Sequence, residues 1–555
     1  MRNISGLKNS NQYPTALTKQ WKSTIALLGL LVAGYLGNYF SIPLILHIDW
    51  LFGSLFALLV VRLYGVGWGT IAAMIAGSYT VILWKHPAAL ILFTLEVLFV
   101  GWGLRRRSQN LLLLDVTYWA LIGFPLLWVM YVFWIKIPPQ AVLLISFKNP
   151  LNQICNALIA SLILTHTPLA KWLGIRKSRT HAFEQTLLNL LVAFVLLPAL
   201  VLTIWNCQDA TAIQENNLVA RLEDAHQQID ADLQNWYQQS LEQLREVARG
   251  DRSDPEILQQ RLKITQQTLP EFRDFYVVDP NGGILNATRN QPTSETSLFQ
   301  GLKLDAKQPT VSELLVVDDT PRIFQSVPIK QGENLVGQLL AELNLETLKR
   351  RLSIGQTASN QLFSLLDKQK QVVVSAREDL NTGQPFDHDG DGEIKTVDRN
   401  TYIWVPTLPN VAKAVRWRKS FYVHQNNVGN ELPWTLNIET ASAPHIVTLD
   451  GIYTKSFAIL TLIAILAPLL AKPISRNLVK PLLQLTTLTN NLPDKLTEQQ
   501  SLQIPTSAIA EINTLSDNFQ LMGNALQDKF QEIQKANQEI QQAKEAADSA
   551  IAATE

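Results

Sequence analysis

Asp387, Asp389 and Asp391 stand at alternate positions of a short acidic segment, a spacing in which carboxylates coordinate a hard cation. Counted from Asp387, they occupy positions 1, 3 and 5 of a twelve-residue calcium-binding loop. Gly392 stands at position 6, where such a loop turns sharply, and Glu393 would contribute its backbone carbonyl at position 7. The spacing therefore predicts a Ca²⁺ site.

The segment also departs from the calcium pattern. Position 12 is Asp398 instead of glutamate, so bidentate closure of the loop is less secure, and Lys395 adds a positive charge at position 9. Residues 381–385 (Asn-Thr-Gly-Gln-Pro) do not predict the helix that precedes the loop in a full helix–loop–helix hand. We therefore expect a weak, structural Ca²⁺ site, and the alternative is a solvated acidic turn.

The composition predicts a membrane protein with several domains. The chain has 555 residues, with 47 basic and 47 acidic side chains, so its net charge does not suggest a nucleic-acid partner. The two cysteines, Cys155 and Cys207, form neither a disulfide framework nor a metal-binding pair. Long apolar runs concentrate in residues 23–206, whereas residues 207–450 and 476–555 have the composition of soluble protein.

Hydropathy predicts eight membrane spans, near residues 23–40, 49–64, 67–84, 88–104, 112–135, 140–166, 184–206 and 455–472. Basic clusters follow even-numbered crossings, for example at Arg105–Arg107 and at Lys171, so they place both termini in the cytoplasm. Residues 1–22 then form a cytoplasmic N-terminus, and residues 207–454 lie outside. We expect an integral protein of a bacterial inner (plasma) membrane, in contact with lipid, whose outer domain is periplasmic or extracellular.

The first six spans and the basic linker after them form a membrane block, residues 23–181. Within it Glu96 lies in mid-span, and a carboxylate in that position is costly unless it has a role. Glu96 is therefore a candidate ligand or ion site, and the alternative is a protonated packing residue. The block loosely resembles the multi-span sensory modules of bacterial kinases and cyclases, and also the small-molecule-binding membrane subunits of transporters.

The outer domain, residues 207–454, opens with a long helix that has one apolar face. Strand–turn–strand patterns follow at residues 275–285 and again at 362–374, and each is followed by further strands. This α+β layout, with Leu432-Pro433-Trp434-Thr435-Leu436-Asn437-Ile438 as a closing strand, resembles the double Cache (PAS-like) sensor family. The resemblance implies a small-molecule pocket within residues 270–345.

Three residues on predicted strands of that region are candidate ligand contacts: Tyr276, Arg322 and Phe324. The alternative is that they belong to the core, as most strand aromatics do. The Tyr, Arg, Trp and Asp pattern of the amino-acid-binding members of the family is not found, so the class of ligand stays open.

Residues 473–530 resemble a HAMP domain. Pro481 matches the proline of the family's first helix, and Glu511 matches the acidic residue that opens its second helix. Apolar stripes at heptad spacing continue into a coiled-coil stalk, residues 531–555, and such stripes are buried when two chains pair. A homodimer is therefore expected, and the alternative is a simple juxtamembrane helical hairpin.

No phosphoacceptor histidine follows His445, and no glycine-rich nucleotide-binding motif follows it either. The sequence thus predicts a multidomain membrane protein with an α-helical membrane bundle, an α+β outer domain and α-helical cytoplasmic segments. It resembles a transmembrane receptor of the sensor histidine kinase type, whose kinase domain, acting on a response regulator, is expected beyond Glu555. The alternative function is a transport or ligand-binding membrane subunit centred on the six-span block.

Overall fold

The computed structural model describes residues 16–45, 48–106, 110–173, 175, 183–250, 255–289, 299, 308–317, 320–331, 334–354, 361–386, 392–409, 411–489, 505–507 and 509–552. The chain forms two compact units. The first contains Met1–Ile42, Asp49–Trp205 and Thr454–Glu555, and the second contains Pro43–Ile48 and Asn206–Tyr453.

The first unit begins with a bundle of helices. They are α1 (Ala16–Tyr39), α2 (Gly53–Tyr64), α3 (Val66–Trp84), α4 (Ala88–Arg106), α5 (Leu111–Tyr118), α6 (Phe124–Val129), α7 (Pro139–His166) and α8 (Leu169–Trp172). π-Helical turns, Trp119–Gly123 and Met130–Trp134, join α5 to α6 and extend α6. Small residues allow close packing: a Cβ on Gly69 would collide with Val61.

Five helical segments of the described chain are long and apolar enough to cross a membrane: Val66–Trp84, Ala88–Arg106, Leu111–Trp134, Phe183–Arg249 and Ser442–Thr489. The other three predicted spans fall on α1, α2 and α7, which do not meet that criterion. Helix α2 has 12 residues and rises about 18 Å, less than a hydrocarbon core of about 30 Å. The eight-span topology therefore stays a prediction.

The second unit is α+β and is built around helix α9 (Phe183–Arg249), whose first part belongs to the first unit. Helix α10 (Pro255–Thr268) follows and begins with a proline, which the first turn of a helix tolerates. A five-stranded sheet has the order β4-β3-β9-β8-β5. Its strands are β3 (Phe272–Val278), β4 (Ile284–Ala287), β5 (Thr310–Val311), β8 (Phe324–Gln331) and β9 (Asn334–Leu343).

Two short hairpins accompany these elements: β1 (Ile42–Ile45) with β2 (Ile48–Trp50), and β6 (Leu315–Val317) with β7 (Thr320–Arg322). After helix α11 (Leu345–Ile354) comes a six-stranded sheet of order β11-β10-β15-β14-β13-β12. Its strands are β10 (Gln361–Leu366), β11 (Val372–Ser375), β12 (Gly392–Thr396), β13 (Thr401–Pro406), β14 (Phe421–Asn427) and β15 (Thr435–Ala441). Helix α12 (Lys413–Arg418) precedes β14.

One hydrophobic core joins both sheets to α9. Leu233 and Leu244 of α9, Leu339 of the first sheet, and Leu365 and Ile438 of the second all lie in it and are buried. The predicted α+β layout and its closing strand are therefore confirmed as elements of the fold.

Helix α13 (Ser442–Thr489) starts directly after β15, and helix α14 (Ala510–Ala552) is the last described element. Helix α13 continues through Pro468, Pro473 and Pro481, so it includes the predicted span 455–472 and the start of the HAMP-like residues 473–530. Residues 490–504 lie outside the described residues.

Candidate ligand-binding site

One face of the five-stranded sheet carries buried polar and aromatic side chains. Strand pairing places Asp274 opposite Glu342, and Tyr276 opposite Leu340. Phe324 is paired with Glu342 from the other side of β9. Because side chains alternate between the faces of a strand, these residues share the face turned away from α9, the outer face.

Two of the three predicted strand residues meet on this outer face. The ring centroids of Tyr276 and Phe324 are 6.1 Å apart, and Phe299 lies 5.1 Å from Tyr276 and 5.5 Å from Phe324. All three rings are buried with Leu340 in a cluster distinct from the main core. The three rings therefore form a buried apolar cluster that includes the phenol group of Tyr276.

The third predicted residue, Arg322, ends strand β7 and carries the positive charge of the site. Its Nη1 lies 3.8 Å from the Glu342 carboxylate, and both side chains are buried. That distance exceeds the 2.7–2.9 Å typical of a charge-assisted hydrogen bond. Arg322 therefore places a buried positive charge next to the Glu342 carboxylate on this face.

Sequence reasoning missed two carboxylates of this face. Glu342 interrupts the apolar run of β9, Leu339-Leu340-Ala341-Glu342-Leu343, which is the signal that could have indicated it. Asp274 accepts hydrogen bonds from the Thr288 hydroxyl and the Gln266 amide, each at 3.1 Å, so its orientation is fixed. The site thus combines a cation, two carboxylates and an aromatic wall.

The second sheet has a comparable polar cluster that the sequence did not reveal. Arg377 donates to the fully buried Glu439 at 3.1 Å and also to Asp379. The hydrogen bond to Asp379, opposed by burial and aided by Glu439, raises the pKa of Arg377, so its charge is permanent. Asn437, on strand β15 with Glu439, is fully buried, and its side-chain amide has no hydrogen-bond partner in the described part of the chain.

Of the predicted calcium ligands, only Glu393 and Asp398 lie among the described residues. Asp387, Asp389 and Asp391 lie outside the described residues. Glu393 forms a loose ion pair with Arg416 at 3.4 Å. Asp398 caps the β12–β13 turn, where its carboxylate accepts from the backbone N–H groups of Asn400 and Thr401 at 2.7 Å each.

Glu393 lies on strand β12, and Asp398 lies in the turn that follows this strand. Closure of the metal loop by Asp398 stays part of the predicted Ca²⁺ site. Among the residues described, no group of three or more His, Cys, Asp or Glu side chains is placed to hold a metal ion. The Ca²⁺ site therefore stays a prediction that depends on Asp387, Asp389 and Asp391.

Glu96, the membrane candidate, is fully buried in α4. The structure brings it next to Asp115 of α5, which the sequence analysis did not single out. Glu96 lies in the first unit and the outer-face residues lie in the second, so they belong to separate sites.

No protein-family model matches the chain, and no curated protein sequence matches it. Solved structures with a similar arrangement include the sensor domain of the V. cholerae histidine kinase DctB, at TM-score 0.32 and 11% identity, covering 41% of this chain and 98% of that one. The ligand-binding domain of the Pseudomonas fluorescens chemoreceptor CtaA, in complex with L-serine, has TM-score 0.31 and 14% identity over 41% of this chain and 99% of its own. The ligand-binding domain of the Pseudomonas aeruginosa PAO1 chemoreceptor PctB, in complex with L-Arg, has TM-score 0.32 and 16% identity. The match covers 42% of this chain and 92% of that one. These low values carry no conclusion about ligand or output.

Proposed function

We propose that this chain is a transmembrane sensory receptor. A small molecule binds the outer face of the first sheet outside the membrane, and helices α9 and α13 relay the event to the cytoplasmic helices. Three features support this function: helices that are apolar enough to cross a membrane, an α+β unit between two of them, and the buried polar site.

The main observation behind this proposal is that α9 and α13 contact each other in both units. In the first unit the Ser475 hydroxyl donates to the Glu184 carbonyl at 2.6 Å. In the second unit the Thr211 and Tyr453 hydroxyls lie 3.1 Å apart. Helices α9 and α13 each have residues in both units, so each helix is continuous from the α+β unit into the helical one. A movement of the sheets that shifts either helix therefore has a direct route across the membrane.

The site chemistry favours a small molecule with a carboxylate or similar anionic group. The Arg322 guanidinium suits a carboxylate, which it can bind through two parallel hydrogen bonds. Glu342 and Asp274 can accept from a cationic or polar group of the same molecule, while Tyr276 and Phe324 cover its apolar part.

We further propose that residues 473–530 form a HAMP domain within a homodimer. In one chain Leu485 and Phe519 are buried, but Leu515, Met522 and Leu526 remain exposed on α14. A second copy would cover this stripe, as heptad spacing requires. The proposed output is a histidine kinase domain that acts on a response regulator, reached through the stalk.

Ligand binding to the full chain in lipid nanodiscs tests the proposal. A panel of free amino acids and small carboxylic acids is screened for compounds that raise the thermal unfolding midpoint. At a hundredfold excess over Kd, a ligand stabilises the native state by about 2.7 kcal/mol. Arg322→Ala should abolish the shift, and Tyr276→Phe should weaken it.

The matched control is Arg245→Ala, because Arg245 lies on α9 and pairs only with the exposed Glu242 at 3.3 Å among the described residues. It should retain the ligand response. A compound that stabilises the Arg322→Ala and wild-type chains equally would show that it binds elsewhere, and the proposed site would be wrong.

The alternative function, a transport or ligand-binding membrane subunit, has one specific observation in its favour. The six-span block contains a fully buried acidic pair, Glu96 and Asp115. Solute uptake into vesicles that carry the full chain, unaffected by Arg322→Ala, would favour this alternative over the receptor.

A further inference from the structure

One buried side chain of the six-stranded sheet makes no hydrogen bond within the described chain. Asn437 of β15 is fully buried, and both the nitrogen and the oxygen of its side-chain amide lack a partner among the described residues. A buried amide in this state is costly, because water no longer compensates for the hydrogen bonds that it does not make. Asn437 is therefore placed to bind a group from another molecule.

Strand register places Asn437 on the face of the sheet that is turned away from α9. Its neighbours Leu436 and Ile438 lie in the main core with α9, so the side chain between them points to the opposite face. On that face Asn437 lies directly between Gln425 of β14 and Ser364 of β10. We call it the polar face of the second sheet.

The polar groups around this amide have partners within the chain. Arg377 donates to Glu439 at 3.1 Å and to Asp379 at 3.0 Å, and the Ser364 and Ser375 hydroxyls lie 2.8 Å apart. One positive charge thus faces two negative charges, so the cluster does not attract an anion. The buried amide is the group of this face that is left to recognise a ligand.

Apolar and aromatic side chains continue the polar face toward β13. Val423 of β14 is fully buried and lies between Glu439 of β15 and Tyr402 of β13. One step further along the strands, the ring centroids of Trp404 and Phe421 are 6.3 Å apart. These three aromatic residues are half-buried. Since neighbouring strands lie about 4.8 Å apart, a molecule about 10 Å long reaches from the buried amide to the rings.

We propose that the polar face of the second sheet binds a small uncharged molecule with an amide-type edge, such as a nucleobase or nicotinamide. An asparagine amide forms two parallel hydrogen bonds with a group that presents a donor and an acceptor side by side. The aromatic rings cover the planar part of such a molecule. The charges of Glu439 and Asp379 disfavour a carboxylate, so this site differs in ligand class from the one at Arg322 and does not depend on it.

Thermal unfolding of the full chain in lipid nanodiscs tests this second site. Uracil, adenine and nicotinamide are added separately, and the unfolding midpoint is measured as a function of their concentration. We expect at least one of them to raise the midpoint, because a molecule that binds only the native state stabilises it. The increase should persist in Arg322→Ala, which removes the guanidinium of the first site.

Asn437→Leu keeps a similar shape but removes the donor and the acceptor, so it should weaken binding about tenfold or more. Tyr402→Leu removes an aromatic ring while the amide stays intact, and it should weaken binding severalfold. Asn426→Leu is the matched control, because Asn426 is an exposed asparagine of β14 in the same sheet, and it should retain the affinity. Circular dichroism verifies that each variant is folded.

The proposal is overturned if none of the three compounds raises the midpoint of the wild-type chain. It is also overturned if Asn437→Leu binds as tightly as wild type or, where that variant does not fold, if Tyr402→Leu does. These outcomes leave the site at Arg322 unaffected, because amino acids and carboxylic acids test that site separately.

Discussion

His424 is a buried residue beside His226, and its protonation is linked to folding. Their ring centroids are 5.6 Å apart, and His424 Nδ1 lies 3.0 Å from the Thr401 hydroxyl. Burial, followed by the charge of His226, lowers the pKa of His424 below its ordinary value. The native state therefore takes up a proton at lower pH than the unfolded chain does.

A lowered pKa gives stability that is complete above the unfolded value of about 6.5 and is lost as pH falls through the folded value. We expect amide hydrogen exchange of β13 and β14 in the full chain to accelerate as pH falls below about 6.5, after correction for the intrinsic exchange rate. His424→Gln should flatten this dependence, and His226→Gln should flatten it partly. An unchanged profile in His424→Gln would contradict the linkage.

The acidic segment 387–391 leads to a prediction about Ca²⁺. If Asp387, Asp389 and Asp391 bind the ion, a hundredfold excess over Kd stabilises the chain by about 2.7 kcal/mol and raises its unfolding midpoint. Asp389→Asn should remove most of that increase. Asp209→Asn, which changes an exposed helical aspartate, is the control. A midpoint that is equal in Ca²⁺ and in chelator would leave the acidic turn as the correct interpretation.

Individual side chains were predictable from the sequence only where their type is informative. Tyr276 and Phe324 are aromatic residues on strands, and they do meet on one face. Glu342 and Asp115 were missed because their positions depend on strand register and helix rotation, which join residues far apart in the chain. The turn contact of Asp398 was not predicted either, because it depends on the hairpin that follows strand β12.

At the scale of the elements, a buried ion pair connects helix α12 to the start of α13. The Arg418 guanidinium donates to the Asp450 carboxylate, which is fully buried, while burial lowers the pKa of Arg418 despite that partner. This pair connects the second sheet's flanking helix to the helix that leaves the α+β unit.

Asp450→Asn should therefore destabilise the junction strongly. Removing one partner of a buried ion pair costs about 3–5 kcal/mol, because the other charge remains buried without compensation. We expect faster hydrogen exchange in the first turns of α13, measured on the full chain. Asp232→Asn breaks the exposed pair with Arg351 and should cost less than about 1 kcal/mol. Equal effects of the two variants would show that the junction does not depend on the ion pair.

The elements were predictable where periodicity is strong. Strands β3, β10, β11 and β15 lie close to their predicted positions because their apolar pattern and flanking turns are clear. Helix α13 continues through Pro468, Pro473 and Pro481, although a proline usually ends or kinks a helix. In an apolar environment neighbouring groups can satisfy the backbone carbonyls that a proline leaves free, so the helix continues.

At the scale of the whole molecule, the sequence predicts the order of the parts better than their assembly. Alternation between long apolar runs and soluble composition separates the apolar helices from the α+β part of the chain, and the two compact units follow this division. The contacts between α9 and α13 were not predictable, because they join residues almost 300 positions apart, such as Glu184 and Ser475.

Assembly of two chains leads to the last prediction, which concerns helix α14. Ile533 and Ile540 continue its apolar stripe and are 57% and 65% exposed, so a single chain leaves the stripe uncovered. Ala536 lies between them on the stripe, whereas Gln538 lies on the opposite face of the same turns. In a parallel dimer, residues at position 536 of the two chains face each other.

Ala536→Cys should form a disulfide-linked dimer rapidly on mild oxidation of native membranes, because paired stripe positions meet at the dimer axis. Gln538→Cys should react at least tenfold more slowly, since its side chains point away from the partner. The natural cysteines Cys155 and Cys207 are buried, so background crosslinking should be low. Equal rates at the two positions would show that the stripe does not pair two chains, and the relay would then have to operate within a single chain.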